Sequence, residues 1–287
     1  MRINAYITAH EPLSRVHSLR KLISAYLKFH ADVRVYITIN NEAEKDIDEL
    51  KFSLSDLNLH CTFLCAIQPD LGFALPWANG PVFKQHVENN DADYYIYQED
   101  DILITWDNFK YFVDWKLILQ PLNLEPGFIR YELFENQFIP FDNHHQWSFT
   151  KPTPNALITG AYQTKCILLN TPEAHCVAQL GNPYYGASIL TQADAVTYVN
   201  SDSFDVDKSY LKSGFRDWPI ADRRSMGLCF ENLNKLQDHR RCIPVVKNDK
   251  YYVPLKQSLV LHNDLKYSRQ LKSEGHKLIN IETFLTA

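Results

Sequence analysis

Three carboxylates stand side by side at Glu99-Asp100-Asp101. Adjacent like charges repel unless a cation or a solvated turn stabilises them. Hard carboxylate oxygens suit Mg2+ or Mn2+. Such an ion neutralises the charge on a diphosphate leaving group as a Lewis acid. The triplet therefore suits group transfer from a nucleoside diphosphate. An acidic-x-acidic spacing lets one carboxylate hold the ion while its neighbour orients ribose or water. The alternative is a solvated acidic turn.

The elements around the triplet favour the first reading. Tyr94-Tyr95-Ile96-Tyr97-Gln98 is an aromatic, β-branched run that predicts a buried strand, and a second apolar run opens at Ile102. Open α/β sheets bind ligands at the carboxyl ends of their strands. Upstream, strands are predicted at 3–8, 33–39 and 60–67, with helices at 13–29, 42–52 and from Asn79-Gly80-Pro81 to about Asn90. This alternation predicts an α/β fold, a Rossmann-like mixed and mostly parallel central sheet flanked by helices. Beyond Asp101 the pattern changes. Helices are expected at 106–118, 171–179, 192–200 and 218–230. Strands are expected at 127–132, 157–161, 164–169, 186–190, 242–247 and 258–262. Residues 133–156, with His144-His145, and the polar stretch 201–217 read as loops. The expected organisation is a single domain over 1–287, with a nucleotide-type half (1–101) and a mixed half (102–287).

Composition removes several classes. The net charge of −5 comes without a basic stripe, which argues against a nucleic-acid partner. No apolar run reaches the length of a spanning helix, and strand-like sequence starts at Arg2. A cytoplasmic protein is expected, or one peripheral at the inner membrane surface. Six cysteines in so long a chain do not form a disulfide scaffold. Cys61 and Cys65 read as thiols of an apolar run, with no second pair at zinc spacing.

Other residues are candidates by position. Thr8 and His10 follow the first strand, Arg15 opens the next helix, and Asn40-Asn41 follow the second strand. Their hydroxyls, amides and charge suit a base, ribose or phosphate; Asn40 or Asn41 equally suits a helix N-cap. Trp77 and Lys84 precede the acidic triplet, Trp77 as core or as a stacking platform. His262 ends a late strand, with Lys266 four residues on. Arg130 and Glu132 lie on a strand and are candidates for binding an acceptor. Asp217 and Asp222 flank a helix start, where an acid suits a general base and Asp217 suits an N-cap. Asp202-x-x-Asp205-x-Asp207 lacks the glycine and terminal Glu of a calcium loop and reads as solvated.

The layout resembles the GT-A-type glycosyltransferases, whose D-x-D motif closes a nucleotide-binding half. Leu75-Pro76-Trp77-Ala78, a helix, and Tyr95-Ile96-Tyr97-Gln98-Glu99-Asp100-Asp101-Ile102 look like a bacterial and plant group of these enzymes. The matches are short, and the element order agrees over most of the chain. The resemblance puts Glu99 and Asp101 at the acidic positions, Asp101 as the direct ligand of Mn2+ or Mg2+; the Glu departs from strict D-x-D. It makes His262 a further metal ligand and Lys266 a diphosphate contact. Thr8, His10, Arg15, Asn40, Lys84 and Asp100 become nucleotide-sugar contacts, and Asp222 or Asp217 the catalytic carboxylate base. The implied activity is sugar transfer from a nucleotide-diphosphate donor to a glycan, glycolipid or other hydroxyl acceptor, as in polysaccharide biosynthesis. Two alternatives are a sugar-phosphate nucleotidyltransferase and a non-catalytic glycan- or metal-binding relic. The former needs a glycine-rich first loop to cradle triphosphate, and Thr8–Arg15 contains no glycine. Strand-end phosphotransferases need an Asp nucleophile where this chain has Glu99.

Overall fold

The computed structural model describes residues 1–40, 44–65, 71–140, 166–168, 176–178, 183–211, 218–233, 239–248 and 251–275. Along the chain run β1 (Arg2–Ala9), α1 (Val16–Tyr26), β2 (Asp32–Ile39), α2 (Glu44–Leu54), β3 (Cys61–Cys65), α3 (Gly80–Glu88) and β4 (Tyr94–Glu99). Then come β5 (Ile102–Leu103), α4 (Trp106–Leu119), β6 (Glu125–Pro126), β7 (Ile129–Phe134), β8 (Gln137–Pro140), β9 (Cys166–Leu168) and β10 (Cys176–Ala178). The remainder is β11 (Ala187–Thr191), α5 (Gln192–Val199), α6 (Val206–Leu211), α7 (Ile220–Ser225), β12 (Arg241–Asn248), β13 (Tyr251–Pro254), β14 (Leu259–His262) and α8 (Lys266–Ser273).

These elements form two compact units. Met1–Trp106 packs with Gly186–His239, and Asp107–Tyr185 packs with Arg240–Ala287. Residues 186–239, read from the sequence as part of the second half, therefore belong with the first.

The first unit is built on a sheet of order β11-β4-β1-β2-β3. The pairs β4–β1, β1–β2 and β2–β3 are parallel, and β11 is antiparallel to β4. The predicted mixed, mostly parallel sheet flanked by helices is what forms. β1 is buried on both faces after its first residue, as a central parallel strand covered by helices must be. α1 buries Leu19, Leu22, Ile23 and Tyr26, the one-sided spacing of an amphipathic helix. It contacts α2, while α3 contacts α5. The register sets Thr8 of β1 beside both Glu99 of β4 and Thr38 of β2. The high aromatic content fills the core: Tyr6, Tyr36, Phe83, Tyr95, Tyr97 and Tyr198 share one cluster. Tyr6 stacks on Tyr36 at 5.1 Å, and its hydroxyl lies 2.6 Å from His86 Nδ1.

Three predicted elements differ. The polar stretch 201–217 contains a 3-10 turn (Asp202–Phe204) and α6. Asp205 Oδ1 accepts from the backbone N–H groups of Asp207 and Lys208 at 3.0 and 2.9 Å, capping α6. The helix expected over 218–230 stops at Ser225, shortly before Gly227, whose φ of 55° breaks helical geometry. The helix expected over 171–179 contains the strand β10, which pairs antiparallel with β12 and β9. The strand expected at 157–161 and the pair His144-His145 lie outside the described residues.

In the second unit β13-β12-β10-β9 form one sheet, with β6 added to β12, and β14 lies parallel to β7, which pairs with β8. Among the described residues no helix is long and apolar enough to cross a membrane.

Candidate active site

The acidic triplet sits on a turn fixed from beneath. Gln98, the last residue of β4 before Glu99, is fully buried. Its Nε2 donates to Ile102 O at 3.0 Å, and its Oε1 accepts from the Tyr26 hydroxyl of α1. The start of β5 is thereby tied back onto β4, and Asp100 and Asp101 fill the turn. Glu99 N donates to Gly186 O at 3.0 Å, joining the segment before β11 to the same turn. Gly186 has φ of 67°, and a Cβ there would lie 2.7 Å from Ile102 Cγ1 and 3.3 Å from Glu99 Oε2. Only glycine fits without displacing the turn.

A single guanidinium faces two of the carboxylates. Arg15 Nη1 donates to Asp100 Oδ1 at 2.8 Å and to Asp101 Oδ2 at 3.4 Å. Arg15 thus bridges the adjacent Asp100 and Asp101. Asp100 is buried, and its Oδ2 has no hydrogen-bond partner among the described residues. Burial, then the Asp101 charge, pushes the Asp100 carboxyl up to about 7 against the pull of Arg15.

The loop between β1 and α1 places Arg15 without glycine. Glu11 takes a left-handed φ of 52°, and Ser14 N and Oγ both donate to its carbonyl, at 3.1 and 2.8 Å. His10 is exposed at the end of β1. Thr8 Oγ1, the Tyr97 hydroxyl and Asn40 Oδ1 are buried at the carboxyl ends of β1, β4 and β2, none with a well-formed hydrogen bond among the described residues. Thr8, Arg15, Asp100 and Asp101, with Glu99, therefore share one end of the sheet. Lys84 lies on α3, 3.8 Å from Glu88 in an exposed pair one helical turn apart.

Asp222 lies in the first turn of α7, within the first unit rather than the second. Asp217 lies outside the described residues. Beside Asp222 is a residue that sequence reasoning passed over. Arg224 is fully buried and donates to Asn79 Oδ1 at 2.9 Å and the Tyr198 hydroxyl at 2.8 Å. Its guanidinium carbon stands 4.8 Å from the Phe83 ring centre, 5.1 Å from Phe204 and 5.3 Å from Tyr97. Aromatic faces attract a desolvated cation, so among the described residues the charge is held without a carboxylate contact. Trp77, one candidate platform, donates its Nε1 to Ile220 O at 2.8 Å and ties its turn to α7. Nothing in Asp222-Arg223-Arg224 distinguishes the arginine caged by aromatic rings from its neighbour, which is also buried; only the aromatic surplus hinted at a partner.

Arg130, Glu132, His262 and Lys266 all lie in the second unit. Glu132 is fully buried. Its Oε2 accepts from Ser268 N at 2.7 Å, and its Oε1 from Tyr267 N at 3.2 Å and His262 Nδ1 at 3.0 Å. It caps the first turn of α8 from a distance, supplying what Leu265 at the N-cap cannot. Its carboxylate is thus committed internally, which leaves it a structural place rather than the expected acceptor contact. The Arg130 guanidinium lies 4.5 Å from the Tyr184 ring centre. Lys266 is exposed, with Nζ 5.6 Å from the Tyr267 ring centre.

Among the described residues no three His, Cys, Asp or Glu side chains gather as a ligand set. The donor chemistry still fits a divalent ion of the Mg2+ kind, which binds through one or two carboxylates plus substrate phosphates. The cation at the pair in this structure is the Arg15 guanidinium, beside an Asp100 Oδ2 that has no hydrogen-bond partner among the described residues.

No family model matches the chain, and no curated protein matches it. Among solved structures, S. aureus TarS aligns at 10% identity over 96% of this chain and 39% of its own, with a TM-score of 0.41. CMP:2-keto-3-deoxy-manno-octonic acid synthetase, complexed with CTP, aligns at 9% identity over 70% of this chain and 78% of its own, with a TM-score of 0.37. The mannosyltransferase PcManGT from Pyrobaculum calidifontis, in complex with GDP-Man and Mn2+, aligns at 9% identity over 40% of this chain and 32% of its own, with a TM-score of 0.28. The chain spans well under half the length of TarS and of PcManGT. At these scores the likenesses carry no functional argument.

Proposed function

We propose that the chain is a glycosyltransferase that moves a sugar from a nucleotide-diphosphate donor to a hydroxyl acceptor. The observation that supports it most is the cation-sharing pair Asp100 and Asp101 at the carboxyl end of a parallel sheet. In this reading Asp101, with Asp100 and Glu99 beside it, holds Mn2+ or Mg2+. The ion, when bound, supplies Lewis-acid stabilisation of the diphosphate leaving group. Thr8 and Asn40 present buried polar atoms to the nucleoside, and Arg15 offers a charge to the phosphates. Asp222 is the candidate base that takes the acceptor hydroxyl's proton. The glycine-free first loop argues against triphosphate chemistry.

The test is donor hydrolysis with Mn2+ across UDP-, GDP- and CDP-sugars, with thermal shifts for the matching nucleoside diphosphates. Metal-dependent turnover or stabilisation by one base series supports the reading. Absence of both across the panel overturns it. Pyrophosphate release from a nucleoside triphosphate and a sugar phosphate would reassign the chain as a nucleotidyltransferase.

A further inference from the structure

The two partners in the Arg15–Asp100 pair differ in their freedom to move. The Asp100 side chain is 7% exposed, on a turn pinned by Gln98, whereas the Arg15 side chain is 37% exposed. A rearrangement at the pair therefore moves Arg15. Asp100 Oδ2, the partnerless atom, belongs to the carboxylate that Arg15 already holds through Oδ1. A divalent ion placed on that carboxylate and on Asp101 would face the guanidinium at close range, two like charges on one acidic pair. Resting on the nucleotide-sugar reading above, we propose that Arg15 is an internal competitor for the divalent ion. It neutralises Asp100 and Asp101 in the metal-free protein and leaves them when the ion binds. Swung from the acidic pair, the same charge sits on the loop after β1, where a diphosphate becomes its partner. Metal and donor binding are then coupled through one side chain: the donor stabilises the released arginine and so favours the ion.

The experiment is a titration of the full chain with Mn2+ and no nucleotide, following free Mn2+ by electron paramagnetic resonance. The wild type is compared with Arg15→Gln, Arg15→Met and Arg15→Lys. The two neutral variants are expected to bind Mn2+ at least about fivefold more tightly, the low end of coupling between linked sites. Arg15→Lys is expected between them and the wild type. At saturating Mn2+ the neutral variants are expected to bind nucleoside diphosphate more weakly, a readout that mere loss of a loop prop would not give alongside tighter metal binding. Equal or weaker Mn2+ binding by the neutral variants overturns the competitor role and leaves the metal reading standing. No Mn2+ binding by any form overturns both. Circular dichroism checks folding, and if one neutral variant fails to fold the other decides.

Discussion

His262 Nδ1 lies 3.0 Å from Glu132 Oε1, inside a carboxylate that also accepts two backbone N–H groups of α8. The strand β7 therefore carries the cap of a helix that follows it by more than a hundred residues, and it orients the ring at the end of the parallel strand β14.

Replacing Glu132 by Ala removes the side-chain acceptor of the Tyr267 and Ser268 amides, whereas His262 Nδ1 keeps the Asp264 carbonyl at 2.9 Å. Each unsatisfied buried donor costs about 1–3 kcal/mol. We expect Glu132→Ala to lower unfolding stability by about 3 kcal/mol or more in denaturant titrations. The amides of Tyr267 and Ser268 are expected to gain the largest increase in hydrogen exchange. Unchanged exchange at both would show that α8 is capped otherwise.

Arg224 is held by two neutral hydrogen bonds and a ring of aromatic faces. A hydrogen bond from a charged donor contributes about 1.5–3 kcal/mol, and a desolvated cation–π contact about 2 kcal/mol. Arg224→Ala also leaves a cavity between Phe83 and Phe204. We expect it to destabilise by about 3 kcal/mol or more, with Arg224→Met less damaging because its stem fills part of the space. A loss below about 1 kcal/mol in Arg224→Ala would show that the cage is dispensable.

Gly186→Ala forces a side chain into the left-handed region and against Ile102. We expect a loss of about 1–3 kcal/mol from backbone strain alone. Ile102→Ala removes the atoms that the new methyl meets, so the double variant is expected to be more stable than the two single losses predict. A coupling of about 0.5 kcal/mol or more is the threshold for contacting residues. Strict additivity would mean that the backbone, not Ile102, yields.

The Asp100 carboxyl has an ordinary value of 3.8 and is raised in the folded protein to about 7. Between those values the folded state binds more protons than the unfolded one, so stability falls as pH rises. The favourable contribution is fully present below pH 3.8 and is lost as pH rises through 7. We expect the melting temperature of the wild type to fall, relative to Asp100→Asn, across that window in metal-free buffer. Parallel profiles for the two proteins would remove Asp100 as the cause.

Much of this site was readable before folding, and the rest had a physical reason for staying hidden. β4 and its acidic end stand out because an aromatic, β-branched run meets three charges at once. The parallel sheet follows from the strand–helix alternation. Arg15 was read as opening the helix after the first strand and stands at the N-cap of α1, but a sequence cannot say whether a long cation turns to a phosphate or to a carboxylate eighty-five residues on. Glu132 read as a candidate for binding an acceptor because its partners, in α8, are far along the chain. Likewise, the packing of residues 186–239 with the first hundred depends on β11 adding antiparallel to β4, a pairing that leaves no local pattern. α6 was missed although Asp205 carried an N-cap signal, because the surrounding polarity masked the short apolar face.

Asp101 and Asp222 should separate by kinetic signature if the proposed function holds. Asp101→Asn removes one charge from the cation-sharing pair while keeping its shape. We expect Mn2+-dependent nucleotide binding to weaken sharply, with donor turnover falling in parallel. Asp222→Asn acts instead on proton removal from the acceptor. General-base loss costs about 10²- to 10⁴-fold in rate, so kcat should fall by that range with nucleotide thermal shifts unchanged. Metal-dependent donor hydrolysis to water should fall less than transfer, since water needs no acceptor-aligned base. If Asp222→Asn transfers sugar at the wild-type rate, α7 supplies structure around Arg224 and the base lies elsewhere in the chain.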